Sequence, residues 1–370
     1  MSTLLEMKSE MNTVRQALLA NNRSGQASDR QAMLKQLGIY TPETLEAAVK
    51  AEATQPYLIE GLLRPRSINL LVGDSGLGKT PLAIQIGVCV AAGIPLFGRA
   101  VTPGPVLYCD AESGKPEFAE MLQVISRFLG LPEPPLNFHV WSPNWEDSTE
   151  NDSVWHTVGM KLIERVKAVQ PVLVVADALR VFWPEAETKN QVAADTFGGL
   201  RKLKAVTWLL LHHRRKANPN APVVALQDNP HAWFQETAGA LALINQSDAR
   251  LGVTPGTGCA DLLLAGFLRL VGTTVSLDLE RVTDDHGEPL GYRALTGLEH
   301  LAANHQVAFA KLADQFRFKD VAVALGGTSG SNAKALVEKC TSLGLARKEG
   351  NGYVKTIAPS APSAGVECVE

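Results

Sequence analysis

The chain has 370 residues, 45% of them hydrophobic and 20% charged, so most of it is neither disordered nor a collagen or coiled coil. Its 35 basic and 38 acidic residues give a net charge of −3, with no overall preference for nucleic acid or an anionic membrane. Five scattered cysteines and an N-terminus without an apolar segment predict a cytoplasmic protein with no disulfide framework, signal peptide or membrane span.

Residues 1–57 are predicted to form a small helical N-terminal module. An amphipathic helix is expected over about the first 20 residues, followed by a polar linker at 21–29. A second helix is expected to start at Thr41 and Pro42, which suit the N-cap and first helical positions. The module has 6 basic and 6 acidic residues, and it serves either oligomer or partner contacts or plain packing.

From residue 58 onward, short apolar runs alternate with helical stretches, which is typical of a mostly parallel sheet buried on both faces. The apolar run at 84–97 is too short to cross a bilayer and is predicted to be a buried helix. This pattern predicts an α/β core over residues 58–300. Its predicted strands lie at 68–72, 106–109, 172–176, 208–211, 241–244, 261–270, 274–281 and 292–295.

A glycine-rich segment follows the first strand and precedes a helix. It fits the pattern G-x-x-x-x-G-K-[ST], in which backbone amides and the helix N-terminus bind phosphate groups. Lys79 is expected to reach the β- and γ-phosphates of ATP, and the Thr80 hydroxyl is expected to bind Mg²⁺. The segment consists of Gly73, Asp74, Ser75, Gly76, Leu77, Gly78, Lys79 and Thr80.

Three acidic residues are candidates for the chemistry at this loop. Asp177 ends the apolar strand at 172–176, which is the Walker B pattern of a Mg²⁺-binding carboxylate. No acidic residue follows it, so the carboxylate that activates water must come from elsewhere. Glu112, just past the strand at 106–109, is the first candidate, and Asp110 is the second. Solvated loop acids are the alternative for both.

Four segments of the core resemble RecA-like ATPases, and most of all the RepA-type hexameric replicative helicases of plasmids and other mobile elements. They are GDSGLGKT, the DAE after the second strand, LVVADALRVF and LLLHHRRK. The resemblance covers about residues 58–300. It implies a RecA-like P-loop fold, ATP and Mg²⁺ as cofactors, a homo-oligomer, in particular a hexamer, and single-stranded DNA in a central channel.

The resemblance implies roles for the residues after the strand at 206–211. A polar residue there senses the γ-phosphate, which by position is His213, whereas His212 points to the other face. The basic residues Arg214, Arg215 and Lys216 open a long loop that is expected to contact DNA. Trp233 and Phe234 lie after this loop, either as stacking platforms for bases or as packed core residues.

The resemblance also implies an arginine that reaches the γ-phosphate of a neighbouring subunit. Arg269 matches best by position, and Arg250 is second. A second basic residue usually follows such a finger, but this chain has Gly272, Thr273 and Thr274 instead. This departure puts activation between subunits in doubt.

Residues 306–357 resemble a winged helix. Helices are predicted at 306–316, 319–325 and 331–343, and a hairpin at 345–348 and 353–356. The segment has 8 basic and 4 acidic residues, whereas the core at 58–305 has 21 and 26. Lys334 on the third helix and Arg347 and Lys348 on the wing are candidate contacts to duplex DNA, with a protein-binding winged helix as the alternative. Residues 358–370 are predicted to be a disordered tail.

These observations predict a Mg²⁺-dependent ATPase that acts on DNA, most concretely a ring-forming replicative helicase of a plasmid, phage or integrated element. Two alternatives stay open. One is a RecA-like ATPase of DNA repair or recombination that does not unwind DNA. The other is a nucleotide-switched DNA-binding scaffold with little turnover.

Overall fold

The computed structural model describes most of the chain from residue 57 onward. The described residues are 57–145, 155–203, 205–214, 224–237, 239, 241–269, 273–327 and 330–356, with scattered positions between 33 and 50. The chain divides into two units, Met1–Pro56 and Tyr57–Glu370. Among the described residues, no helix is long and apolar enough to cross a membrane.

In the first unit, Pro42, Leu45 and Glu46 are helical, and the Leu45 amide donates to the Thr41 carbonyl over 3.0 Å. A helical turn therefore lies at the predicted helix start. The predicted amphipathic helix over the first 20 residues and the linker at 21–29 fall outside the described residues, as does the predicted tail at 358–370.

A nine-stranded sheet forms the centre of the second unit. Its strands are β1 (Ile68–Gly73), β2 (Val106–Asp110), β3 (Phe138–Trp141), β4 (Leu173–Asp177), β5 (Thr207–His213), β6 (Ala249–Pro255), β7 (Leu262–Leu268), β8 (Thr273–Thr283) and β9 (Pro289–Ala294). The spatial order is β3-β2-β4-β5-β1-β6-β7-β8-β9. Pairs from β3 to β6 are parallel and pairs from β6 to β9 are antiparallel, so the predicted mostly parallel sheet is confirmed.

Helices cover both faces of the sheet because parallel strands need crossover connections. They are α1 (Lys79–Ala92), α2 (Lys115–Phe128), α3 (Trp155–Val169), α4 (Leu179–Phe182), α5 (Pro184–Thr188), α6 (Asn190–Arg201), α7 (Pro230–Gln235) and α8 (Leu241–Gln246). Side chains alternate along β4 between two apolar cores, with Val175 packing in the core of α1 and Val174 in that of α6. Every residue of β1, β2 and β4 is therefore buried.

One predicted strand is wrong. Residues 241–244 belong to the helix α8. The strand that pairs with β1 on the side away from β5 is β6, a few residues later. Leu243 and Ile244 are buried, and the Ala242 amide donates to Asn190 Oδ1 over 3.0 Å. A short apolar run does not distinguish a strand from a buried helical turn, and the contact with α6 decides it here.

The C-terminal part of the second unit has its own apolar core, which includes Phe309, Leu336 and Leu345. Its elements are α9 (Ala303–Lys311), β10 (Gln315–Phe316), α10 (Phe318–Ala324), α11 (Gly330–Ser342), β11 (Ala346–Glu349) and β12 (Gly352–Lys355). The three strands form an antiparallel sheet in the order β10-β12-β11. The first predicted helix extended too far, since its last residues form β10.

Candidate active site

The loop between β1 and α1 lies at the carboxyl edge of the parallel strands. Gly73 at its start pairs with His213 on β5 and with Val253 on β6. Gly76 and Gly78 have φ angles of +78° and +90°, which L-residues adopt at a cost. The curled backbone leads directly into the N-terminus of α1. Backbone amides and a helix dipole are therefore combined at one place, as phosphate binding requires.

The ammonium group of Lys79 is folded back over this loop. Its Nζ donates to the Gly73 carbonyl over 3.0 Å and to the Asp74 carbonyl over 2.8 Å. Burial lowers the pKa of Lys79, while Asp177, Glu112 and Asp74 act in the opposite direction. Backbone carbonyl oxygens thus hold the positive charge within the loop. A phosphate group would bind the ammonium more strongly than these neutral carbonyls do, because it is an anion.

Asp177 sits at the end of β4, beside the first turn of α1. Its Oδ2 accepts hydrogen bonds from Thr80 Oγ1 over 2.6 Å and from the Tyr108 hydroxyl over 2.8 Å. Burial raises the pKa of Asp177, and these two donors oppose the shift. The structure therefore brings together the hydroxyl and the carboxylate that the sequence assigned to Mg²⁺.

Glu112 faces the same edge and is paired with His213. Glu112 Oε1 lies 3.5 Å from His213 Nε2, and 42% of the glutamate side chain is exposed. The hydrogen bond from His213 is the main cause of the lowered pKa of Glu112, with further contributions from Arg180 and Lys79. A partly exposed carboxylate beside the loop can be reached by water, as a general base must be.

Asp110, the second candidate, is placed differently. Its side chain is fully buried, and it accepts hydrogen bonds from the Ser113 amide over 2.9 Å and the Ser113 hydroxyl over 3.1 Å. Burial raises the pKa of Asp110 to about 6. The carboxylate oxygens of Asp110 stabilise the turn after β2. Of the two carboxylates, only that of Glu112 is accessible to solvent.

Two residues at this site were missed in the sequence. The Tyr292 hydroxyl on β9 donates to the Gly78 carbonyl over 3.2 Å, and the Arg281 guanidinium on β8 lies 6.0 Å from the Tyr292 ring centre. Gln85 of α1 fixes β9 here, because its side chain exchanges two hydrogen bonds of 2.8 Å with the Tyr292 backbone. A buried glutamine in an otherwise apolar helix was the available indication.

Comparison with known proteins agrees with this geometry. Residues 39–219 match a family model described as an AAA domain. The matched segment contains the phosphate-binding loop, Glu112, Asp177 and His213. The chain carries a P-loop ATPase domain. The family match and the sheet together support a core of the RecA-like type.

The sequence was also compared with curated proteins, and the fold with solved structures. No curated protein matches the sequence of this ATPase significantly. Among solved structures, a KaiC-like protein of the hyperthermophilic archaeon Pyrococcus horikoshii is similar, with 14% sequence identity and a TM-score of 0.40. That comparison covers 65% of this chain and 94% of the archaeal chain.

Arg214 is turned toward the ATPase domain rather than toward solvent. Only 13% of its side chain is exposed. It forms one ion pair with Glu236 and a second with Asp74, in which Arg214 Nη1 lies 3.8 Å from Asp74 Oδ2. Its guanidinium lies 4.6 Å from the Trp233 ring centre. These contacts hold Arg214 against the fold, and its contact with DNA stays a prediction. Trp233 and Phe234 are core residues, as in the packing alternative. Arg215 and Lys216 lie outside the described residues.

The two candidate finger arginines lie at the opposite edge of the ATPase sheet. Arg269 follows Leu268, which pairs with Ala249 at the start of β6, and its Nη1 donates to the Asn245 carbonyl over 2.7 Å. Arg250 is half-buried, with its guanidinium 5.0 Å from the Phe267 ring centre. Burial lowers the pKa of Arg250, and the nearby Arg269 adds to this effect. The structure does not bring either arginine to the phosphate loop of its own chain.

The basic candidates of the C-terminal part are all exposed. Lys334 Nζ lies 3.8 Å from Glu338 Oε1 on α11. Arg347 Nη2 lies 3.6 Å from Glu349 Oε2 on β11. Lys348 lies between Arg347 and Glu349 on this wing strand and is exposed. Lys355 is used internally, because its Nζ donates to the Leu312 carbonyl over 2.6 Å. Lys334, Arg347 and Lys348 therefore remain candidate DNA contacts.

Gly78 gives a direct test of the loop. We expect Gly78→Ala to weaken nucleotide binding about tenfold or more, because strained backbone conformations cost about 1–3 kcal/mol and a Cβ would also overlap the Tyr292 hydroxyl. Titration of a fluorescent ADP analogue measures the loss. Gly76→Ala is the matched control, since Gly76 shares the positive φ but has open space at its Cβ position. Equal losses in both variants would show that the Tyr292 contact is unimportant.

Proposed function

We propose that this P-loop ATPase uses Mg²⁺–ATP to act on DNA as a ring-forming replicative helicase of a plasmid, phage or integrated element. The observation that carries the proposal is the joining of an ATPase core to a separate C-terminal part with an exposed basic surface. The core itself is acidic, so the charge that suits a nucleic acid is concentrated in one region. The hexameric ring and the unwinding of DNA belong to this proposal.

The residues at the loop suit a Mg²⁺ ion. Thr80 and Asp177 offer a hydroxyl and a carboxylate in contact with each other, and Mg²⁺ prefers such oxygen ligands together with water and phosphate oxygens. When bound, the ion would neutralise charge on the β- and γ-phosphates. The pair is too small a set to hold Mg²⁺ by itself, so nucleotide and metal are expected to bind together.

The remaining chemistry falls to side chains of this chain. The loop amides and Lys79 bind and orient the phosphates, and Glu112 accepts a proton from the attacking water. His213 holds Glu112 by their contact at 3.5 Å. His213 lies directly beside Gly73, so a change at the γ-phosphate reaches both the loop and β5.

The link from nucleotide to DNA is proposed to follow β5. His213 at its end is followed by Arg214, which contacts Asp74 of the phosphate loop and Glu236 beyond the basic loop. Arg214 thus joins the nucleotide site to both ends of the segment that carries Arg215 and Lys216. These two residues remain predicted contacts to single-stranded DNA in the channel.

The C-terminal part is proposed to be a winged helix that binds duplex DNA. Its element order is helix, strand, two helices and a two-stranded wing, and α11 presents Lys334 on its exposed side. A third helix and a wing are the elements with which such modules contact the duplex. Arg347 and Lys348 would then contact phosphates beside the groove.

One experiment tests the central proposal. ATP hydrolysis is measured with and without single-stranded DNA on a sample whose mass is determined by light scattering. We expect a ring and a stimulation by DNA, followed by strand displacement on a forked duplex. Hydrolysis by a monomer that DNA leaves unchanged would contradict the proposal. Active hydrolysis without strand displacement would favour a repair ATPase, and tight DNA binding with negligible turnover would favour a scaffold.

The wing is tested by its salt dependence. We expect Lys348→Ala to weaken duplex binding and to reduce the slope of log affinity against log salt by about 1, since one phosphate contact is lost. Fluorescence anisotropy at several salt concentrations measures both quantities. Lys311→Ala removes the same charge from an exposed position at the end of α9 and is the matched control. The same slope in wild type and Lys348→Ala would rule out a phosphate contact by Lys348.

A further inference from the structure

A buried tyrosine contacts the carboxylate assigned to Mg²⁺. Tyr108 is 0% exposed in the middle of β2, and its hydroxyl donates to Asp177 Oδ2 over 2.8 Å. Thr80 Oγ1 donates to the same oxygen over 2.6 Å. Two donors on one carboxylate oxygen restrict the orientation of the group more than one donor would.

The tyrosine ring is itself held firmly. Its centre lies 5.0 Å from that of Phe118 on α2 and 6.1 Å from that of Phe138 on β3. The backbone of Tyr108 pairs with Val175, two residues before Asp177 on the neighbouring strand β4. The hydroxyl therefore occupies a fixed position opposite the carboxylate, set by the sheet on one side and by aromatic packing on the other.

The burial of Asp177 makes these donors necessary. Only 2% of this residue is exposed, and a buried carboxylate without hydrogen bonds is costly. Thr80 is a shared partner, because its hydroxyl oxygen is also assigned to Mg²⁺. Tyr108 has no such second task, so it is the donor whose position does not depend on the metal.

We propose that Tyr108 is a positioning residue that orients Asp177 for Mg²⁺ binding. This inference rests on the proposed use of Mg²⁺ at the loop. Residues that orient a metal ligand without touching the metal commonly change metal affinity by about 10- to 100-fold when removed. Tyr108 would act on the metal through Asp177 and leave the binding of metal-free nucleotide to the loop amides and Lys79.

The test separates these two kinds of binding. Affinity for a fluorescent ADP analogue is measured in EDTA and then across a Mg²⁺ titration, for wild type and for Tyr108→Phe, which keeps the ring and loses the hydroxyl. We expect unchanged affinity in EDTA and a roughly tenfold or greater rise in the half-saturating Mg²⁺ concentration. Tyr353→Phe, the same change in the stacked ring pair of the C-terminal part, is the matched control.

Each other outcome has a defined meaning. An unchanged Mg²⁺ requirement in folded Tyr108→Phe, with folding checked by circular dichroism, would overturn the inference. Equal losses with and without Mg²⁺ would also overturn it, because they would assign Tyr108 to packing of the whole site. In an Asp177→Asn background, Tyr108→Phe should add no further Mg²⁺ effect. Wild type that binds nucleotide without any response to Mg²⁺ would instead refute the proposed metal site, and the inference with it.

Discussion

Replacing Glu112 with glutamine is expected to abolish most ATP hydrolysis while ATP still binds. Glutamine keeps the size of the side chain and its contact with His213 but cannot accept a proton from water. General base catalysis contributes about 10²- to 10⁴-fold, so the turnover rate should fall within that range. Steady-state hydrolysis measures the rate, and titration of a fluorescent nucleotide measures binding.

Asp110→Asn provides the contrast. Asparagine keeps an acceptor for the Ser113 amide, so we expect hydrolysis to change much less than in Glu112→Gln. The two carboxylates are two residues apart on the same strand end, and only their environments differ. A larger loss of turnover in Asp110→Asn, with binding intact, would transfer the role of the base to Asp110.

Local sequence patterns were sufficient to predict which residues of the candidate nucleotide site lie together. The octet from Gly73 to Thr80 specifies a loop conformation through its own glycines, and Asp177 is placed by the end of an apolar strand. Parallel strands carry such residues to one edge of a sheet without further information. Glu112 and His213 follow by the same rule, since β2 and β5 lie on either side of β4.

Contacts between segments that are distant in the sequence were harder to predict. Tyr292 reaches Gly78 because β9 returns to α1 through Gln85, more than 200 residues earlier in the chain. Arg214 resembles a basic loop residue in the sequence, yet Glu236 and Trp233 hold it against the fold. In both cases the decisive partner lies on another element, and no local spacing reveals it.

The length of an apolar run was equally ambiguous. Residues 241–244 suit a strand as well as a buried helical turn, and only the packing against α6 separates the two. The strand β6, which pairs with β1 on the side away from β5, begins at Ala249 and contains the charged Arg250. Most residues of β6 are buried, and the guanidinium of Arg250 lies 5.0 Å from the ring centre of Phe267.

Arg269→Ala is expected to lower ATP turnover by about a thousandfold, the lower end of the range for arginine fingers. Arg269 follows the β7 residue that pairs with Ala249, which in turn pairs with Asn69, four residues before Gly73. At about 3.3 Å per residue, roughly 13 Å of strand separates it from its own phosphate loop. In the proposed ring, repeated head-to-tail contacts would bring this arginine to the nucleotide of a neighbouring copy, and we expect it to act there.

Mixing two inactive variants tests this directly. Arg269→Ala keeps a working phosphate loop, and Lys79→Ala keeps the arginine. In an equal mixture, about a quarter of the head-to-tail interfaces join an intact loop to an intact arginine. We therefore expect about a quarter of wild-type turnover to return. Arg250→Ala with Lys79→Ala is the matched mixture. Recovery only with Arg250→Ala would make Arg250 the finger. Fluorescence transfer shows whether subunits exchange. If they exchange and neither mixture recovers turnover, catalysis between subunits is contradicted, because the loop of one variant and the arginine of the other then do not form a working site.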